Sequence, residues 1–125
     1  MRSWTKLRFN MSEHDEHISL RDMLDHAVEA VELLGDSSRE ELGNNRMMQL
    51  ALTRLMEIIG EAARRVSENT KQKNADIPWS QIIGMRNRLI HGYDIIDYDL
   101  LWDTVNFDLP PLIQSLQKII KDQFY

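Results

Sequence analysis

Cysteine is absent from this 125-residue chain, which excludes disulfides, thiolate metal sites and cysteine nucleophiles and is compatible with a reducing compartment. Proline and glycine are scarce, at three and five residues, so the few backbone breaks that do occur carry information. Long apolar runs are missing as well. No stretch approaches the ~20 apolar residues that span a bilayer, and Met1 to Asn10 has Arg2, Lys6 and Arg8 but no apolar segment of the signal-peptide kind. The expectation is a cytoplasmic protein with no membrane partner. Met11 offers a second plausible start, so residues 1–10 are set aside as an N-terminal extension. Residues 11–125 are long enough for one domain around a single core and too short for two.

An excess of acid gives a formal net charge of −5 and argues against indiscriminate coating of nucleic acid. The charge is unevenly spread. Residues 1–45 carry a net −5, residues 46–88 a net +4 and residues 89–125 a net −4. A basic centre containing Arg54, Arg64, Arg65, Lys71, Lys73, Arg86 and Arg88 can hold phosphates locally while the acidic flanks limit wider binding. For the lysines and for Arg64 and Arg65, ordinary solvated helix faces are the simpler reading.

The apolar spacing is helical throughout, with no period-two strand and no internal repeat. A first helix is predicted from Ser19 to Leu34, with Ser19 and Asp22 resembling a capping box and Gly35 as the stop. A short piece at Arg39–Leu42 precedes a long helix over 45–68. There Gly60, Ala62 and Ala63 permit close helix approach. The polar stretch 69–76 reads as a loop, and Pro78 opens a helix that ends near His91. Asp97 or Asp99 caps the next segment, and Pro110 and Pro111 kink or divide it before a last helix reaching Asp122. Helices joined by short loops make an all-α, antiparallel four- to five-helix bundle.

Chemistry concentrates in Met85-Arg86-Asn87-Arg88-Leu89-Ile90-His91-Gly92-Tyr93. On a helical wheel Ile82, Ile83, Met85, Leu89 and Ile90 form one apolar arc with Arg86 near its middle. An unpaired buried guanidinium is costly, so Arg86 needs a buried partner, a subunit interface, or a cleft that receives an anion. Glu61 is the candidate partner. His91 would point roughly 140° away from Arg86 on an ideal helix, so the two converge only where the helix ends or where a second subunit supplies one of them. Gly92 reads as the C-cap that ends it.

Arg86, four intervening residues, His91, one residue and Tyr93 resemble the Arg-x4-His-x-Tyr motif of HepT-like toxins in the HEPN superfamily. The likeness extends to the helix Arg54-Leu55-Met56-Glu57-Ile58-Ile59-Gly60-Glu61-Ala62, to Ile77-Pro78-Trp79 leading into Ile82-Ile83-Gly84-Met85, and to Val105–Leu112. It covers nearly everything from Met11 onward. The resemblance implies a HEPN-like bundle, a homodimer with its active cleft between protomers, and metal-independent RNA cleavage. It also implies control by a cognate MntA-like nucleotidyltransferase antitoxin, which adds AMP groups to the motif tyrosine, here Tyr93.

The residue types suit that chemistry. Cleavage needs a base for the 2′-hydroxyl, charge stabilisation for the phosphorane and an acid for the 5′-oxygen. Imidazole serves as base or acid, so His91 takes that role. Arg86 keeps its charge and binds phosphate bidentately. One histidine does not easily do both jobs, whereas a symmetric dimer brings two to one cleft. Asn87 is placed to orient the phosphate or His91, and Arg88, on the other side of the wheel, is a substrate contact or a solvent residue. Tyr93, if not modified, would pack on the helix end. His14, His17 and His26 lack companion ligands, so no metal and no other cofactor is expected. Trp79 and Trp102 read as core or interface anchors.

Two rival readings stand beside this one. In the first, the bundle is a non-catalytic accessory or nucleotide-binding subunit of a nucleotidyltransferase, and Arg86 and His91 hold phosphate without cutting. In the second it is a helical adaptor, with Arg86 as a plain ion-pair partner.

Overall fold

A computed structural model describes residues 2–125, with side chains from His14 onward. The expected boundary between residues 1–10 and the domain lies outside the residues whose side chains are described. The chain is all-α apart from one minimal strand pair. Helix α1 (Arg2–Leu34) packs along α3 (Arg46–Arg65) and α8 (Leu109–Phe124). Leu20, Met23, Ala27 and Leu34 of α1 meet Leu52 and Ile59 of α3 and Leu116 and Ile119 of α8 in one buried cluster. Each such leucine or isoleucine contributes about 1.5–3 kcal/mol by leaving water. Among the described residues no helix is long and apolar enough to cross a membrane.

The predicted start of the first helix at Ser19 is not observed. Helix already runs through His14–Ile18, where no glycine or proline interrupts it, and Ser19 is buried instead of capping. A true capping box occurs at α2 (Arg39–Gly43). The Ser38 hydroxyl accepts from the Glu41 amide while the Glu41 carboxylate accepts from the Ser38 amide, satisfying two orphan donors at once. Arg39 then ties α2 to α7 (Tyr98–Asp103) through Asp99 and Asp103 while lying over Trp102. Hydrogen bonds to those two carboxylates raise the Arg39 pKa further.

The long central helix ends earlier than its apolar pattern suggests. Val66 is extended, and Ser67 caps α4 (Glu68–Lys73) by accepting from Thr70. Much of the predicted 69–76 loop is therefore a short helix, with Glu68 in its first turn and Lys71 and Lys73 in its last, as the helix dipole favours. The Ser67 amide in turn donates to Glu16 of α1.

Pro78 precedes α5 (Trp79–Ile83), but the predicted single helix to His91 is two pieces, because Gly84 separates α5 from α6 (Met85–Leu89). Gly60 of α3 is why this region sits so close: a Cβ there would lie 3.0 Å from the Ile82 carbonyl oxygen and 3.3 Å from that of Ile83. After α6 the chain forms β1 (Ile90–His91), which pairs antiparallel with β2 (Ile95–Ile96), Ile90 opposite Ile96 and His91 opposite Ile95. The expectation of no strand is thus corrected. β-Branched Ile90 is extended, and the Asp97 amide donates to the Leu89 carbonyl at 2.7 Å, giving the last α6 carbonyl a partner without a helical C-cap. Gly92 is not that cap; with φ of +60° it makes the hairpin turn, which glycine enters without Cβ strain.

Asp97 caps α7 as predicted, accepting from Leu100. The two prolines stand where the segment is divided, since α7 ends at Asp103 and the last helix starts only at Leu109. They occupy the first turn of α8, where their missing amides cost least. A π-helical turn, Thr104–Asp108, joins α7 to α8, and the Leu109 amide reaches back to the Thr104 carbonyl.

Candidate active site

Arg86 of α6 donates from Nε to Glu57 Oε2 at 2.7 Å, and the other oxygen of Glu57 takes Arg54. Its side chain is about half exposed, at 49%. One expectation is therefore corrected: within the chain the carboxylate partner of Arg86 is Glu57, one turn before the exposed Glu61. The reason is the break at Gly84, which ends the helical phase on which an apolar arc across residues 82–90 depends. Arg86 is aimed outward by a carboxylate that is itself held by a second arginine.

His91 stands on β1, exposed, with Nε2 3.5 Å from Asp97 Oδ2. Asp97 Oδ1 is fixed by the Leu100 amide at 3.0 Å, so the α7 cap also presents a carboxylate to the imidazole. Among the described residues no hydrogen bond joins the Arg86 cluster to His91 within one chain.

Tyr93 is 99% exposed at the hairpin tip, so the alternative in which it packs on the helix end is not observed. Asp94, at φ +64°, accepts from Arg46 at 2.6 Å through its carboxylate and at 3.0 Å through its carbonyl. That clamp joins the hairpin to the start of α3 and leaves the tyrosine ring in solvent. Asn87 is exposed beside Arg86. Arg88 departs from both: it donates to the Gln81 carbonyl at 2.7 Å and touches Met85 sulfur, facing a cavity that Arg86 does not line.

Met47, Leu50, Arg54 and Glu57 recur every three or four residues of α3, and so share a face. Met47 is 81% exposed, and Leu50 and Ile95 also stand in solvent. Apolar side chains thus border the ionic cluster. Glu57 and Asp97 are the two site residues whose roles the motif did not disclose; the i, i+3 pairing of Arg54 with Glu57 was the available signal for the first. Among the described residues no group of three His, Cys, Asp or Glu side chains is gathered to hold a metal ion.

The site thus consists of an all-helical bundle that pairs an arginine with one carboxylate and brings a histidine within 3.5 Å of another, beside an exposed tyrosine. The family model described as "Ribonuclease HepT-like" matches residues 18–119, and the chain belongs to that family. It is 38% identical over 107 residues to a Methanocaldococcus jannaschii protein named "Putative RNase MJ1380", covering 86% of this chain and 98% of the relative. It is 36% identical over 107 residues to "Probable ribonuclease HepT" of Thermococcus cleftensis, covering 82% and 97%. No solved structure matches it.

Proposed function

We propose that this protein is the toxin of a toxin–antitoxin pair: a homodimeric endoribonuclease that cleaves RNA without a metal through Arg86 and His91. The observation that carries the reading is that both motif side chains are exposed yet individually oriented, Arg86 by Glu57 and His91 by Asp97. His91 of one protomer takes the 2′-hydroxyl proton, the 2′-oxygen bonds to phosphorus, and the bond from phosphorus to the 5′-oxygen breaks. His91 of the second protomer, protonated, gives its proton to that leaving oxygen. Products are a 2′,3′-cyclic phosphate and a 5′-hydroxyl. Arg86 offsets the extra negative charge of the phosphorane, where a guanidinium contributes most, and Asn87 helps seat the phosphate.

The exposed apolar residues Met47, Leu50 and Ile95 support a second copy docking over this edge, as a symmetric composite cleft requires. Tyr93, reachable from all sides, is the residue that an MntA-like nucleotidyltransferase antitoxin modifies with AMP. Phosphates added there repel RNA electrostatically and cover the cleft.

The test is cleavage of end-labelled RNA by purified protein in excess EDTA, comparing wild type with His91→Ala and assaying 2′,3′-cyclic phosphate ends. Wild-type cleavage reduced at least 10²-fold in the variant is expected. Absence of cleavage by unmodified, dimeric wild type would transfer the assignment to the non-catalytic, nucleotide-binding accessory subunit.

A further inference from the structure

A cavity of about 640 Å³ opens beside the motif helix, between α3, the α5–α6 pair and the π-helical turn. That is the size of small-ligand sites. Its floor is apolar, from Met56, Ile59, Ile82 and Leu112, while Arg88, Asp76 and Asp108 line it as charged groups. Phe107 also lines it and is 63% exposed, leaving most of an aromatic ring in water. Nothing in the phosphate chemistry of Arg86 and His91 uses any of these residues.

The pattern of donors and acceptors restricts what fits. A purely apolar occupant would leave charged groups desolvated without partners, which is costly. A phosphate or other anion would meet Asp76 and Asp108. Guanine satisfies both signs at once: O6 and N7 accept on one edge, as an arginine fork requires, while N1–H and the 2-amino group donate on the other to carboxylates. Adenine lacks the O6 acceptor and the N1–H donor, and pyrimidines present less ring to stack. Arg88 is ready for this role, because its Nη2 is anchored to the Gln81 carbonyl at 2.7 Å, which holds the guanidinium while other N–H groups stay available. Phe107 supplies an aromatic surface of the kind on which bases stack.

We propose that this cavity is a base-reading subsite that seats a guanine. That the base belongs to an RNA substrate rests on the ribonuclease reading, whereas guanine recognition itself does not.

The experiment is titration of full-length dimeric protein, methyl-labelled at methionine and isoleucine, with guanosine, adenosine, cytidine and uridine 3′-monophosphates, followed by NMR. Guanosine 3′-monophosphate is expected to move the methyls of Met56, Ile59 and Ile82 and to bind at least fivefold more tightly than the other three. Phe107→Ala, with the fold checked by the unshifted remainder of the methyl spectrum, should weaken it roughly fivefold or more. Asp76→Asn with Asp108→Asn should bring the four nucleotides within about twofold of one another. Equal binding of all four to wild type, or shifts confined to Met47 and Ile95, would overturn the proposal. A parallel cleavage assay separates the two readings: guanosine binding in the cavity without RNA cleavage would sink the ribonuclease mechanism alone, and cleavage without guanosine preference in the titration would sink the subsite alone.

Discussion

Replacing Glu57 by glutamine tests whether the motif arginine acts from a prepared position. Glu57 engages Arg86 at 2.7 Å through one oxygen and Arg54 through the other. With charge centres about 4 Å apart, each attraction is worth about 1 kcal/mol in the fully aqueous limit and about 4 kcal/mol at an effective dielectric of 20. Glu57 is 27% exposed, while Arg86 and Arg54 are 49% and 61% exposed. Solvent screening and the ordering of two long side chains therefore reduce the share appearing in stability to about 0.5–1 kcal/mol per pair. Glu57→Gln keeps the shape but removes the charge, leaving two guanidinium groups that share a neutral neighbour and repel each other.

The unfolding free energy should thus fall by about 1–2 kcal/mol, read from urea denaturation. Cleavage should fall further, roughly tenfold to a hundredfold, because displacement of a catalytic group by even ~1 Å carries that penalty. Single-turnover cleavage of labelled RNA at saturating enzyme measures the step directly. Arg54→Gln is the control; it removes only the outer pair and should lower cleavage by less than about threefold, since surface pairs contribute little. A Glu57→Gln protein that cleaves at the wild-type rate, in an assay where Arg86→Ala abolishes cutting, would refute the idea that Glu57 orients Arg86.

Three further predictions concern the frame that carries the site. Gly60→Val places its Cβ 3.0 Å from the Ile82 carbonyl oxygen; backbone must move, so urea unfolding should register a loss of about 1–3 kcal/mol, and unchanged stability would mean that α5 is not tightly docked. At α2, Ser38→Ala should cost about 1 kcal/mol by loss of the cap. Hydrogen bonds from the Ser38 backbone and then its side chain lower the Glu41 pKa. The ionised carboxylate therefore contributes stability above its unfolded pKa, and that contribution is lost as pH falls through the folded one. The stability gap between wild type and Glu41→Gln should accordingly close in acid, below the ordinary carboxylate range; a gap that widens there would contradict the sign.

Helical identity, the single core and the motif positions were all legible from residue order, because apolar spacing reports which face leaves water and because Arg, His and Tyr declare their chemistry by type. Ser38 with Glu41 and Asp97 with Leu100 are local devices, and the Asp97 cap was read from sequence for that reason. Ser19 misled: its side chain can cap, yet it is buried inside a longer helix, and burial is set by the elements packed against it.

The environment of Arg86 belonged to tertiary structure alone. A wheel assumes one continuous helix, and the interruption at Gly84, with α5 held against Gly60, turns Arg86 away from the apolar arc and onto Glu57. His91 likewise meets Asp97 because the hairpin returns the chain, an event that depends on Ile90 pairing with Ile96 and on the Asp97 amide closing on Leu89. Residue types determine which chemistry is possible and local spacing determines which helices form; distances between side chains on different elements are decided only when those elements pack.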